Sequence, residues 1–187
     1  IDVSKSMLYN IEPVREAILK LHGEAYRYRD KVGIVALKGM NAVVVQHPIT
    51  NLRVVANKLL TLRISGFTPL AAGMLKAWEV LKEAKRRDRS TIPVMVIVTD
   101  GNANIPLKRS LQMGEVRTFD PLDAAFFKYE DLAIDDVISV SEMIKREGIY
   151  AVVVNTNPVL MGWQTSGLLV TKMIAKITNG NHHEVGR

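Results

Sequence analysis

The stretch that most limits the fold is IPVMVIV, Ile92 to Val98, an apolar run with no charge and no polar–apolar alternation. Such a strand is apolar toward both faces and belongs at the centre of a sheet covered on both sides. VGIVAL (Val32 to Leu37) and YAVVV (Tyr150 to Val154) repeat the pattern, and KGMN alone separates the first of them from AVVVQHPI (Ala42 to Ile49). Strands joined that closely form an antiparallel hairpin, because a parallel return needs a crossover of about a dozen residues. HHEV, His182 to Val185, reads as a short edge strand.

Helical patterns lie between these runs. From Asn10 to Arg29 the apolar residues Ile11, Val14, Ile18, Leu21 and Ala25 recur three and four apart, with Asn10 as a cap and Pro13 in the first turn. Asn51 caps a short helix whose apolar side is Leu52, Val55, Leu59 and Leu62. Pro69 opens a helix from Leu70 to Arg87, in which Gly73 marks a close approach to the sheet. DDVISVSEMIKREG, from Asp135, has acids first, bases last and Gly148 as its stop, and Leu168 to Thr178 ends at Asn179-Gly180. The alternation predicts an α/β fold: three layers, α/β/α, doubly wound, with a mostly parallel sheet carrying one antiparallel edge strand. At 187 residues and 48% hydrophobic, one domain over 1–187 accommodates the chain. The exception to the pattern is 102–134, a long insertion or loop holding Phe119, Phe126, Phe127 and Tyr129, in which DPLDAAFFKYEDLA offers a helix started by Asp120 and Pro121. A connection this long is more often a lid or binding loop than filler.

Composition excludes several chemistries. With no cysteine there is no disulfide, thiolate metal site or cysteine nucleophile, which fits a reducing, cytoplasmic setting. The apolar runs are far shorter than the roughly 20 residues that span a bilayer as a helix. Because Ile1 opens directly on a motif without an initiator Met, the chain reads as a fragment lacking upstream sequence. The net charge of +6 gathers partly at Lys82 to Arg89 and Leu107 to Ser110. An acidic partner or nucleic acid would bind such runs, but no aromatic residues interleave with them to stack on bases, and solvated helix ends are the leading explanation.

The chemistry-bearing residues converge on one sheet edge. In IDVSKSM, period-two geometry points Asp2, Ser4 and Ser6 the same way. Thr68 stands just ahead of the helix at Leu70, and the central strand ends in Thr99, Asp100 and Gly101, at the carboxyl edge where open α/β sheets hold ligands. Two carboxylates and three hydroxyls suit a hard divalent cation that keeps some water, Mg²⁺ or Mn²⁺. Each residue alone is equally at home as a helix cap or turn residue. The set of five, gathered from three loops, favours metal.

IDVSKSM, GFTPL and TDG, in this order and at these intervals, resemble the metal-ion-dependent adhesion site of von Willebrand factor A domains, a Rossmann-like fold. RYRDKVGIVALKG, GFTPLAAGMLKAWEVL and VIVTDGNANIP look most like the carboxy-terminal domain of magnesium chelatase D subunits. The resemblance implies that Ser4, Ser6 and Thr68 supply hydroxyl oxygens and that Asp2 and Asp100 act largely through bridging water. It further implies a last coordination position that accepts an Asp or Glu carboxylate from a protein partner. That partner would be an AAA+ ATPase subunit, in a magnesium or cobalt chelatase-like assembly or one of MoxR type. On this reading the module is not an enzyme by itself, and no G-x-x-x-x-G-K-[ST] phosphate loop occurs in the chain. Two features depart from the family: Lys5 stands where relatives carry a small residue, and Leu107 to Ile134 is longer than in the chelatase group.

Two other functions compete. A Mg²⁺-dependent hydrolase or phosphotransferase would use the same carboxylates, but no nucleophile is paired with a base, and a phosphoaspartate mechanism would want a second aspartate in the first motif. A basic nucleic-acid-binding domain would bind in a salt-dependent, metal-independent way. Adjacent His182 and His183 would point to opposite faces of a strand, which argues against a metal pair. Trp78 reads as core, Trp163 as a loop residue near the same edge.

Overall fold

The computed structural model describes residues 1–2, 28–60, 66–113, 130–156 and 166–185. Ser4, Ser6, Lys5, the expected helix over 10–29 as far as residue 27, the aromatic cluster at 119–129 and Trp163 lie outside them. The described elements are β1 (Val32–Lys38), β2 (Asn41–Ile49), α1 (Leu52–Leu60), α2 (Leu70–Arg87), β3 (Val94–Thr99), α3 (Leu107–Met113), α4 (Glu130–Arg146), β4 (Tyr150–Asn155), α5 (Ser166–Thr178) and β5 (Asn181–Glu184).

β1 and β2 pair antiparallel from Val32↔Ile49 to Lys38↔Asn41, as the short KGMN connection requires. β3, β4 and β5 pair in parallel, with β4 in the middle. The two sheets are joined by Ile1 and Asp2. The Ile1 nitrogen donates to Val35 O (2.8 Å) and Leu37 N donates to Ile1 O (3.0 Å), the parallel pattern about Ala36. On the other side Asp2 N donates to Val98 O (2.8 Å). The order across the molecule is therefore β2, β1, Ile1–Asp2, β3, β4, β5, with the antiparallel strand at one edge.

Helices flank both faces. Val35, Leu37, Met95, Ile97 and Val153 pack against α2, α4 and α5 in the main core. Ile34, from the opposite face of β1, packs with Val55 of α1. Trp78 packs against the main core as expected, with Lys82 Nζ 4.5 Å above its ring. Gly73 also behaves as its position foretold: a Cβ there would lie 2.1 Å from Leu37 Cδ2, so its lack of a side chain lets α2 settle on β1.

The structure adds to the sequence reading at two places. Leu107–Met113 is helical, and α4 begins at Glu130 rather than Asp135. The acids of the first turn of α4 are Glu130 and Asp131, and Asp136 Oδ2 instead accepts the Leu107 amide at the start of α3 (2.6 Å). At the far end, Gly148 (φ +67) closes α4, with Ile149 N reaching back to Ile144 O (3.2 Å).

On the α5 side His182 Nε2 lies 3.0 Å from Thr171 Oγ1. Burial lowers the His182 pKa below its ordinary 6.5; Glu184 opposes the shift, and Lys172 and His183 add to it.

Two stability measurements follow. Gly73→Val should cost about 3 kcal/mol in urea unfolding, the upper end for overpacking, and less than about half of that in a Leu37→Ala background, where the obstructing methyl is gone. His182 has a depressed pKa when folded, so its contribution is complete above the ordinary histidine range and is lost as pH falls. The urea midpoint should drop between about pH 7 and pH 5, and His182→Gln should flatten that part of the profile relative to the parent.

Candidate functional site

At the carboxyl edge of the sheet the chain runs from an apolar interior into residues with hydrogen-bonding side chains. Asp2, Thr68, Thr99 and Asp100 are all buried, none more than 2% exposed. Burying two carboxylates and two hydroxyls is unfavourable unless each finds partners, so their hydrogen bonds define the site.

Asp2 is held twice. Its amide bonds Val98 O, and its Oδ2 accepts from Thr99 Oγ1 at 2.9 Å. The Thr99 hydroxyl in turn accepts from Gly101 N at 3.0 Å, so one threonine links the first loop to the turn after β3. Asp100 accepts from Asn102 through both oxygens: Oδ1 from the amide N (3.0 Å) and Oδ2 from Nδ2 (2.9 Å). The Oδ1 bond is an Asx turn, the ordinary role for an aspartate here. The Oδ2 bond is a second, side-chain contact beyond that turn.

Thr68 reaches the same place through Asn104. Its amide donates to Asn104 Oδ1 (2.9 Å) and its carbonyl accepts from Asn104 N (3.3 Å), tying the loop before α2 to the loop after β3. Thr68 O also accepts from Leu70 N (2.9 Å) around Pro69, whose φ of −75° and ψ of 64° make an inverse γ-turn. Pro69 thus precedes α2 rather than lying in its first turn. No side chain caps α2, so Thr68 is not a helix cap. Among the described residues its hydroxyl makes no hydrogen bond.

A fourth segment closes on this edge. Gly101 has φ +81°, and a Cβ on it would lie 2.0 Å from Gly167 O; one on Gly167 would lie 2.1 Å from Asp100 O. The first turn of α5 therefore sits directly against the Asp100 turn, a contact that requires glycine on both sides. Sequence reasoning identified Asp2, Thr68 and Asp100 but not Thr99, Asn102, Asn104 or Gly167. The alternation of Asn102 and Asn104 after Asp100 was the available signal.

The donor set fits a hard cation. Among the described residues no three His, Cys, Asp or Glu side chains converge, so a cation here would rest on two carboxylates supplemented by hydroxyls. Asp100 is buried with only amide donors about it and no Lys or Arg partner among the described residues. A buried carboxylate so placed is favoured by a counter-charge.

Comparison with known proteins agrees with this architecture. The von Willebrand factor type A domain profile matches residues 1–102. The magnesium-chelatase 67 kDa subunit of Chlorobaculum parvum is 32% identical over 157 residues, covering 83% of this chain and 24% of that protein. The 60 kDa subunit of Rhodobacter capsulatus is 29% identical over 155 residues, covering 81% and 24%. This chain thus spans about a quarter of the length of those subunits. An uncharacterised protein of Methanocaldococcus jannaschii is 28% identical over 149 residues, covering 79% of this chain and 72% of its own length. Among solved structures, the SpRpn10 VWA domain superposes with a TM-score of 0.61 at 10% identity, over 98% of this chain and 84% of that one. BatB from Bacteroides thetaiotaomicron gives 0.59 at 14%, over 98% and 86%. A sheet stitched at Asp2 and helices on both its faces agree with the profile match: the chain belongs to the von Willebrand factor type A domain family.

Proposed function

We propose that the carboxyl edge holds a divalent cation, Mg²⁺ or in its place Mn²⁺, through Asp2, Ser4, Ser6, Thr68 and Asp100, and that the chain is a non-catalytic interaction module. The observation that carries this reading is Asp100, buried at the same sheet edge as Asp2 and Thr68, with hydrogen bonds only from Asn102 and no cationic partner among the described residues. When bound, the cation would supply a Lewis-acidic position for a partner's carboxylate. The chain's own residues do the rest. Thr99 orients the Asp2 carboxylate, Asn102 orients that of Asp100, and Asn104 holds the Thr68 backbone so that its hydroxyl remains unspent.

The partner is a protein presenting an Asp or Glu, and the similarity to magnesium-chelatase subunits supports an assembly of chelatase type in which it is an AAA+ ATPase subunit. The whole chain acts as one module, in which the connection over 102–134 includes α3 and the start of α4. A cytoplasmic setting accords with this; no described helix is long and apolar enough to cross a membrane.

Calorimetric titration with Mg²⁺ tests the site. Asp2→Asn and Asp100→Asn, which keep side-chain volume and one of the two accepting oxygens, should each weaken Mg²⁺ binding about tenfold or more while leaving the far-UV circular dichroism unchanged. Equal Mg²⁺ affinity in parent and both variants would sink the assignment, and phosphatase turnover lost in Asp2→Asn would replace the module with an enzyme. Thr68 would reach the cation directly only once the partner's carboxylate is bound, so Thr68→Ala should change Mg²⁺ affinity less than about threefold but weaken Mg²⁺-dependent capture of the ATPase partner about tenfold, as judged against an EDTA control.

A further inference from the structure

At the opposite edge of the sheet, Leu81, Lys82, Lys85, Arg86, Arg89, Pro93, Glu147 and Ile149 line a concave space of about 310 Å³. Pro93 immediately precedes β3 and Ile149 immediately precedes β4, so the space lies at the amino ends of these strands. It is separated from Asp100 by roughly 20 Å, the length of a six-residue strand. Its floor is apolar: Pro93 and Ile149 are buried and Leu81 is half-buried. Its rim carries four cations against one carboxylate.

The carboxylates nearby are already engaged. Glu147 pairs with Lys82 (3.9 Å), and Glu83 with Arg87, which is outside the pocket. Asp88 accepts from Ser90 N (3.0 Å) and Ser90 Oγ (2.6 Å). Lys85, Arg86 and Arg89 are exposed and have no ion-pair partner among the described residues. The C-terminus of α2 offers them only about half a negative charge, too little to balance three cations.

We propose that this pocket binds a segment of a partner protein in which carboxylates flank an apolar residue. The carboxylates meet Lys85, Arg86 and Arg89, while the apolar residue covers Leu81, Pro93 and Ile149. A phosphate-rich ligand fits less well. Arg and Lys bind phosphates too, but compact phosphate sites commonly add converging backbone amides or a helix N-terminus, and this is a helix C-terminus, which presents carbonyls. Nucleic acid would want an open aromatic face to stack on, and the Trp78 ring is covered by Lys82. The site is independent of the metal edge and of the reading proposed for it.

The test is fluorescence anisotropy with a fluorescein-labelled Glu-Glu-Leu-Glu-Glu-Leu peptide in EDTA, which silences any cation at the other edge. Saturable binding should weaken about tenfold or more in the triple variant Lys85→Glu/Arg86→Glu/Arg89→Glu, in the milder Lys85→Gln/Arg86→Gln/Arg89→Gln, and when the peptide's Leu residues become Ser. Lys172→Glu/Lys176→Glu on α5 should leave it within about twofold. Circular dichroism and the thermal midpoint establish that each variant is folded. Absence of saturable binding, equal loss in the α5 variant, or indifference to the Leu-to-Ser change overturns the proposal. Displacement by inorganic triphosphate or oligothymidylate as effectively as by unlabelled peptide also overturns it, in favour of a phosphate site.

Discussion

The structure depends on how two residues, Ile1 and Asp2, are wedged between β1 and β3. Without their three backbone hydrogen bonds the described strands form two separate sheets, one of two strands and one of three. With them the apolar faces of β1 and β3 become continuous, so that Leu37 joins Met95, Ile97 and Val153 in one core under α2, α4 and α5. The carboxylate of Asp2 uses the same position. Its backbone is fixed at Val98, and its side chain receives the Thr99 hydroxyl one residue further along β3. A group placed by a sheet hydrogen bond and by a side-chain hydrogen bond has little freedom, which is what a preorganised ligand set needs.

The edge beyond this anchor is built by neutral groups. Thr99, Asn102 and Asn104 each spend hydrogen bonds on positioning, and none contributes charge. Negative charge is thereby concentrated on Asp2 and Asp100 in a water-poor setting where an added cation would count for more than it does at an exposed surface. Backbone crowding at Gly101 and Gly167 adds the N-terminus of α5 to the same edge. At the other edge, Lys85, Arg86 and Arg89 do the reverse, gathering positive charge around an apolar floor. The sheet thus separates buried carboxylates at one edge from exposed cations at the other.

Much of this was legible in the chain. IPVMVIV reads as a strand covered on both faces because its apolar character is local, and β3 is central, bonded by β4 on one side and by Asp2 on the other. The KGMN hairpin, the helix after Pro69 and the close approach at Gly73 were readable for the same reason: each follows from residues within one or two turns. The start of α4 was misread because Asp135 and Asp136 look like first-turn acids. Asp136 in fact satisfies the amide of Leu107, 29 residues earlier. LKRSLQM shows no clear apolar period of its own, and its first amide is satisfied by that remote carboxylate, so nothing within the segment announces a helix.

By itself, then, the sequence determined the alternation of strands and helices, the single antiparallel edge and the presence of oxygen-bearing side chains, Asp2, Thr68 and Asp100, at one edge of the sheet. These depend on periodicity, turn length and side-chain type, all carried by near neighbours. Only the tertiary structure decided that Ile1 and Asp2 complete the sheet, that Asn104 ties Thr68 to the Asp100 loop across 36 residues, and that Gly101 admits Gly167. Those are hydrogen bonds and backbone contacts between segments far apart in sequence, and they exist only once the core has brought the two sheets into register.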